Sequence, residues 1–153
     1  MEQLDKTDLA ILRTMQRNAK LTTKELAEAV HLTPTPVFER LKRLERQGII
    51  RKYVAVLDAA KLERAFTVFC LVKLSRMNHD IALDFNQQIQ EIDEVTECYN
   101  ISGDFDYLLK INVRDMAQYQ HLLLNRLGTI ESVGSLKSSF VMDEVKHEFG
   151  ISL

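Results

Sequence analysis

Along the first fifty residues the hydrophobic positions recur three and four apart, which is the period of amphipathic helices. Asp5 is a good N-cap, and Leu9, Leu12 and Met15 then form one apolar face. This pattern predicts a first helix over residues 6–18.

Two further helix starts follow closely. Thr22 and Glu25 have the spacing of a capping box, in which each side chain bonds the other residue's backbone N–H. Thr35 is the expected cap of a third helix with Pro36 at its first position, because proline has no N–H to leave unpaired there. This helix should run to about Gln47. Two short helices joined by a tight turn predict a helix-turn-helix.

The third helix has one apolar stripe and one charged face. Val37, Leu41 and Leu44 stack at helical spacing and should be buried. The opposite face suits a DNA major groove, because Arg and Lys donate to guanine or phosphate and Glu accepts from cytosine. A solvated face of a bundle helix is the alternative. The predicted DNA-binding residues of this helix are Thr35, Pro36, Glu39, Arg40, Lys42, Arg43 and Arg46, with Arg40 on the flank.

Residues 49–57 are rich in β-branched side chains and predict a strand. Arg51 and Lys52 at its start would lie near the DNA backbone, as the wing of a winged helix does. The sequence therefore predicts a winged helix-turn-helix domain over residues 1–60.

The second half changes to mixed strand and helix periods. Gly103-Asp104 has the signature of a two-residue type II′ hairpin turn. The order strand, helix, strand, strand, helix, strand predicts a ferredoxin-like βαββαβ domain over residues 61–153, and the fold class is α+β. The predicted strands are 66–74, 95–102, 105–113 and 133–142, and the helices are capped by Asn78 and Asp115.

Two helices cover only one face of such a sheet, so the other face should be buried by a second copy. The strands carry more apolar surface than two helices can cover. The residues predicted to supply this apolar surface are Val68, Cys70, Tyr99, Ile101, Leu109, Ile111 and Phe140. A homodimer is therefore predicted.

Composition limits the class of protein. The chain has 153 residues, of which 46% are hydrophobic and 27% charged. No apolar run approaches the ~20 residues of a membrane helix, and the first residues do not resemble a signal peptide. Two cysteines are too few for a disulfide scaffold. These features predict a reduced, cytoplasmic protein with no membrane partner.

The net charge of −2 conceals two opposite halves. Residues 1–64 carry 13 Lys and Arg against 9 Asp and Glu, a net +4, whereas residues 65–153 carry 7 against 13, a net −6. Such asymmetry suggests a part that faces nucleic acid joined to a part with another role.

The sequence contains no catalytic motif and no metal-ligand spacing, so neither a cofactor nor a metal is expected. Cys70 and Cys98 read as small packed hydrophobes. Asp104 and Asp106 could be a catalytic pair, but no neighbouring Lys, His or Arg would tune them. Turn formation or acceptance of a ligand ammonium group is favoured instead.

With these elements in order, the chain resembles the Lrp/AsnC ("feast/famine") transcription regulators of bacteria and archaea. The resemblance covers nearly the whole chain. The stretches that carry it are Leu4-Asp5-x-x-Asp8-x-x-Ile11-Leu12, Thr33-Pro34-Thr35-Pro36-Val37-x-x-Arg40-Leu41-Lys42-Arg43-Leu44-Glu45-x-x-Gly48-Ile49-Ile50, and Ser102-Gly103-Asp104-Phe105-Asp106-Tyr107-Leu108-Leu109.

The resemblance implies a DNA-binding domain followed by an effector-binding and assembly domain. It implies dimers, often in rings of four, with an amino-acid effector bound between dimers around the Gly-Asp turn. Ser138 stands where many members have Thr in the last strand. The effector residues carried over are Tyr99, Asn100, Ile101, Ser102, Gly103, Asp104, Asp106, Tyr107 and Ser138.

The leading hypothesis is a sequence-specific regulator that binds double-stranded DNA and responds to an amino acid. A DNA-organising protein of the same architecture without an effector is the alternative. The third hypothesis is an enzyme whose active site lies on the ferredoxin-like domain, which the absence of a catalytic motif disfavours.

Overall fold

The computed structural model describes residues 4–76 and 78–153, and the chain forms two compact units. The first unit contains the residues up to Val56 together with Val145–Leu153. The second unit is Leu57–Glu144. The last nine residues thus group with the helix-turn-helix and not with the sheet.

The first unit contains α1 (Lys6–Arg17), α2 (Thr23–Ala29) and α3 (Pro34–Arg46). Both predicted N-caps, Asp5 and Thr22, form complete capping boxes. The predicted start of α3 is wrong: Thr33 occupies the N-cap and Pro34 the first helical position. Thr33-Pro34 and Thr35-Pro36 are equally good local signals for a helix start, because the first helical turn tolerates the proline of either pair. Thr35 and Pro36 therefore lie inside the first turn.

The core of the first unit joins all three helices. Val37 and Leu44 are fully buried, as the stripe on α3 predicts, and Leu41 packs against them partly buried. The backbone between α2 and α3 passes through His31 at a φ of 56°, in the left-handed region that makes a tight turn. The buried cluster is Ile11, Leu12, Met15, Leu26, Ala27, Val37 and Leu44.

The predicted strand over residues 49–57 is wrong. Residues 49–50 form a bend, residues 51–57 pair with no strand of the described chain, and Val54, Val56 and Leu57 are more than 60% exposed. β-Branched residues favour an extended backbone, but a strand also needs a hydrogen-bonded neighbour.

The second unit is built around a four-stranded antiparallel sheet in the order β2-β3-β1-β4. This order confirms the ferredoxin-like arrangement. Asn78 and Asp115 cap the two helices through their side chains, as predicted. The elements are β1 (Phe66–Leu74), α4 (His79–Gln90), β2 (Val95–Asn100), β3 (Tyr107–Val113), α5 (Met116–Asn125), a 3₁₀ turn (Leu127–Thr129) and β4 (Val133–Phe140).

The prediction of which residues lie on the uncovered sheet face is largely wrong. Val68, Cys70, Leu109 and Ile111 are fully buried beneath the helices. Phe140 belongs to the same face, since it packs against Tyr119 of α5. Because β1 is apolar at consecutive positions, its sequence does not show whether the odd-numbered or the even-numbered side chains face the helices.

The outward face of the sheet has an apolar centre and a polar rim. Leu71 pairs with Leu108, which in turn pairs with Tyr99, a side chain that is 51% exposed. Around this centre the Lys110 ammonium lies 3.1 Å from the Glu97 carboxylate. The outward face therefore carries charged side chains at its rim, whereas the helix-facing side holds the buried apolar core.

Candidate functional site

The outward face of α3 is polar and accessible. Thr35, Glu39, Lys42 and Arg46 are all exposed, whereas Val37 and Leu44 on the opposite side are fully buried. The structure therefore brings these four predicted residues onto one helix face. Their donors and acceptors match those that read base edges or phosphates.

Phe38 also lies on this face, although it is not among the DNA-binding residues predicted from the sequence. Its side chain is 49% exposed, and the Lys42 ammonium lies 5.9 Å from the centre of its ring, a cation–π contact. Its spacing from Thr35 and Lys42, three and four residues, could have identified it. An exposed aromatic side chain can contact a thymine methyl group.

Two of the predicted DNA-binding arginines have a partner inside the unit. Asp8 of α1 is only 1% exposed, and both of its carboxylate oxygens lie 2.6 Å from Nη2 of Arg43. Arg40 donates to Asp8 at 2.8 Å and to the exposed Asp5 at 2.6 Å. Hydrogen bonds to these carboxylates raise the pKa of Arg40 above its ordinary value.

The placement of Arg43 on the outer face of α3 is therefore wrong. Its guanidinium faces α1, because a buried carboxylate requires a charged partner. Neither Asp8 nor this pairing could be found from local spacing, since the partners are separated by 32 and 35 residues.

Arg51 and Lys52 are exposed, as expected for residues that meet a DNA backbone. The segment that carries them is fixed to α3 through Tyr53, whose hydroxyl donates to Glu45 at 2.8 Å. Burial raises the pKa of the Tyr53 hydroxyl to about 12, and the hydrogen bond to Glu45 is the second cause of this shift. The same Glu45 also pairs with Lys42 at 2.8 Å.

The turn between β2 and β3 is wider than the predicted two-residue hairpin. The strands end at Asn100 and begin at Tyr107, and the closing backbone bond runs from the Ile101 N–H to the Asp106 carbonyl at 2.9 Å. The predicted glycine conformation is present, since Gly103 has a φ of +120°.

Contacts with β1 explain the wider turn. The Asp106 N–H donates to the Val72 carbonyl, and its carboxylate accepts the Leu74 N–H at 2.7 Å. Lys73 donates to the Asp104 carbonyl at 2.7 Å. Residues 102–105 thus form a loop, called the Gly-Asp loop below, in which Ser102, Gly103 and Asp104 are exposed.

The structure does not gather all predicted effector residues in one place. Tyr99 lies on the outward face of the sheet, whereas Asn100 and Tyr107 line a groove against α4. Ser138 lies beneath α5, hydrogen-bonded to the Tyr119 hydroxyl, on the strand at the far edge of the sheet. Within one chain, Ser138 is therefore separate from the Gly-Asp loop.

The groove between α4 and β2 has a volume of about 270 Å³. Its floor includes Tyr107, whose ring lies 4.6 Å from that of the buried Phe85, and burial raises the pKa of Tyr107. Sequence reasoning missed Asn86 and Gln90 of α4, which supply amide groups. The lining residues are Asn86, Ile89, Gln90, Cys98, Asn100 and Tyr107.

Within residues 4–76 and 78–153, no cluster of three or more His, Cys, Asp or Glu side chains is arranged to hold a metal ion. No helix in that part of the chain is long and apolar enough to cross a membrane.

A winged helix-turn-helix joined to a ferredoxin-like domain defines a class of DNA-binding transcription regulator. Residues 4–51 match the winged helix-turn-helix DNA-binding family, and residues 67–151 match the Lrp/AsnC ligand binding domain. The chain belongs to the Lrp/AsnC family. It is a regulator with a ligand-binding domain and not an enzyme.

Relatives agree over nearly the full chain. The leucine-responsive regulatory protein of Haemophilus influenzae is 43% identical over 143 residues, covering 94% of this chain and 86% of the relative. That of Escherichia coli is 41% identical over 145 residues, covering 95% and 88%.

Solved structures show the same fold. A transcriptional regulator from Neisseria meningitidis, solved in complex with L-Met, superposes with a TM-score of 0.94 at 37% identity, over 98% of this chain and 97% of that chain. An AsnC family regulator from Agrobacterium tumefaciens gives 0.93 at 33% identity, covering 97% of both chains.

Proposed function

We propose that this protein is a sequence-specific regulator whose α3 enters the major groove of double-stranded DNA. The observation that carries this is the outward face of α3, where Thr35, Glu39, Lys42 and Arg46 are exposed together. Arg51 and Lys52 contact phosphates beside it. Of the remaining predicted residues, Pro36 shapes the first turn, and Arg40 and Arg43 hold α3 on α1.

We propose further that the regulator responds to an amino acid or related small molecule, bound between dimers around the Gly-Asp loop. Tyr99, Ile101 and Ser102 lie on or beside the outward face, and Asp104 offers an exposed carboxylate to an ammonium group. The carboxylate of Asp106 already accepts a backbone N–H, so its role is to fix the loop. Gly103 permits the loop backbone, and the amide of Asn100 donates to the Asp106 carbonyl. Tyr107 supports the site from the helix-facing side. Ser138 lies on the far edge strand of the same chain, so it is proposed to belong to the site of a neighbouring copy.

We also propose an oligomeric state and a cellular location for the regulator. The working form is a cytoplasmic homodimer that assembles further to an octamer. Residues 1–60 act as the DNA-binding domain and residues 61–153 supply effector binding and assembly, although the last nine of them lie in the first compact unit.

A thermal-shift screen of the full-length protein against all twenty amino acids, with and without promoter DNA, tests the effector proposal. A rise in Tm with one ligand supports a responsive regulator, since a ligand that binds only the folded state stabilises it. DNA binding without any ligand shift indicates the DNA-organising alternative. A ligand that is consumed would contradict a purely regulatory role.

Replacing Asp104 with alanine is expected to abolish the ligand-induced shift while leaving the Tm of the unliganded protein within about 2 °C. The side chain is exposed, and only its backbone carbonyl is used by Lys73. Asp84→Ala, which removes an exposed carboxylate from α4, is the matched control. An undiminished shift in the Asp104 variant would exclude this carboxylate from the site.

Full-length protein at micromolar concentration is expected to scatter light as at least a dimer. Leu71→Glu should shift it toward the monomer, because it places a charge in the apolar centre of the outward face. Ser135→Glu, at the exposed rim of the same face, is the control. A Leu71 variant that keeps the native mass would place the dimer contact elsewhere.

A further inference from the structure

Residues 151–153 lie against α1 of the helix-turn-helix, far from them in sequence. The Ile151 N–H donates to Oε1 of Gln16 at 2.6 Å, and Nε2 of Gln16 donates to the Ile151 carbonyl at 3.1 Å. One side-chain amide therefore pairs with both backbone groups of one residue, as a neighbouring strand would.

Arg13, three residues before Gln16 on the same face of α1, binds the backbone of Leu153. Its Nε and Nη2 lie 2.9 Å and 2.6 Å from the Leu153 carbonyl oxygen. The Leu153 side chain is partly buried against the core cluster of the first unit. A Cβ at Gly150 would lie 3.0 Å from Oε1 of Gln16, so a larger residue there would crowd this contact.

The residues that lead to this contact are exposed. Between the end of β4 and this segment, the side chains of Met142, Val145 and Phe149 are 95%, 91% and 65% exposed. Residues 151–153 are thus anchored by four side chain–backbone hydrogen bonds and one apolar side chain, although the residues before them are exposed.

We propose that Arg13 and Gln16 form a docking surface for the chain's own residues 151–153. The first unit is joined to Leu57–Glu144 at two points in the chain, before Leu57 and after Glu144. Docking therefore anchors the second connection on α1, the helix whose Asp8 holds Arg40 and Arg43 of α3. A strain on the chain after β4 is transmitted by this route to the helix proposed to read DNA.

Amide hydrogen exchange of the full-length protein tests the docking itself, which does not depend on DNA binding. In the Arg13→Ala, Gln16→Ala double variant, the Ile151 amide is expected to exchange at least about tenfold faster than in the wild type. Arg17→Ala, which removes the same charge from an exposed position of α1, should leave it unchanged. Equal exchange in the wild type and the double variant would overturn the proposal.

A mixture of methyl-labelled and unlabelled chains identifies the occupant. Contacts between the Leu153 methyls and α1 should arise within labelled chains. Contacts found only between chains would assign the surface to a second copy and overturn docking of the chain's own segment.

The transmission to α3 rests on the proposed function and is measured separately. The double variant should bind promoter DNA about fivefold more weakly than Arg17→Ala does, at equal salt. Faster Ile151 exchange with an affinity equal to that of the control would overturn the transmission. If the wild type itself binds no DNA, the proposed function fails while the exchange result still decides the docking.

Discussion

Replacing Asp8 with alanine is expected to lower the free energy of unfolding of the helix-turn-helix unit by about 3–5 kcal/mol. The carboxylate is almost completely buried and accepts hydrogen bonds from two guanidinium groups. Its removal breaks the hydrogen bonds that Arg40 and Arg43 donate to it and leaves unfilled space between α1 and α3. Helical circular dichroism during urea unfolding, supported by amide exchange in α1 and α3, measures the loss.

Two comparisons separate the buried pair from ordinary surface charge. Glu28→Ala removes an exposed carboxylate from α2 and should change stability by no more than about 0.5 kcal/mol. Combining Asp8→Leu with Arg43→Met should recover much of the loss, because both charges are then absent. An Asp8 variant less than about 1 kcal/mol below the wild type would show that the pair is not a structural tie.

Local signals in the sequence were sufficient to predict the helices of this fold. The sequence predicts N-caps at Asp5, Thr22, Asn78 and Asp115, and each accepts a backbone N–H from three residues further on. Such contacts depend only on neighbouring residues, so the sequence displays them directly. Thr33 is the exception, since it caps α3 without a side-chain hydrogen bond and proline follows both candidate threonines.

The features that could not be predicted depend on distant partners. Arg43 has the helical phase of an outward residue, and only the approach of α1 brings Asp8 to it. The Gly103 loop is wider than a two-residue turn because β1 binds Asp106. The residues predicted for the uncovered sheet face come from both faces for the same reason: β1 is apolar on both, and only the packing of α4 and α5 distinguishes them.

The outward face of α3 is where substitution is expected to have the largest functional effect. The Lys42→Ala, Arg46→Ala double variant should lose about 10- to 100-fold in affinity for promoter DNA, since a base contact contributes ~1–3 kcal/mol and each phosphate contact about one unit of salt slope. Both side chains are exposed, so the fold should be kept. Titrations at several salt concentrations, followed by fluorescence anisotropy, measure both quantities.

Removing two charges elsewhere controls for net charge. Lys61→Ala with Arg64→Ala takes the same charge from exposed positions outside the helix-turn-helix and should change the affinity less than about threefold. If the α3 double variant binds as tightly as the wild type, this face is not the DNA-binding surface.

Arg43 and Arg46, three residues apart on α3, give the sharpest comparison. From helical phase alone both should contact DNA, but the structure directs Arg43 to Asp8 and leaves Arg46 exposed. Arg46→Ala should therefore weaken DNA binding with an unchanged Tm. Arg43→Ala should lower the Tm and, well below that temperature, leave the salt slope of DNA binding within about half a unit of the wild type. A salt slope reduced by a full unit in the Arg43 variant would mean that DNA draws this arginine away from Asp8.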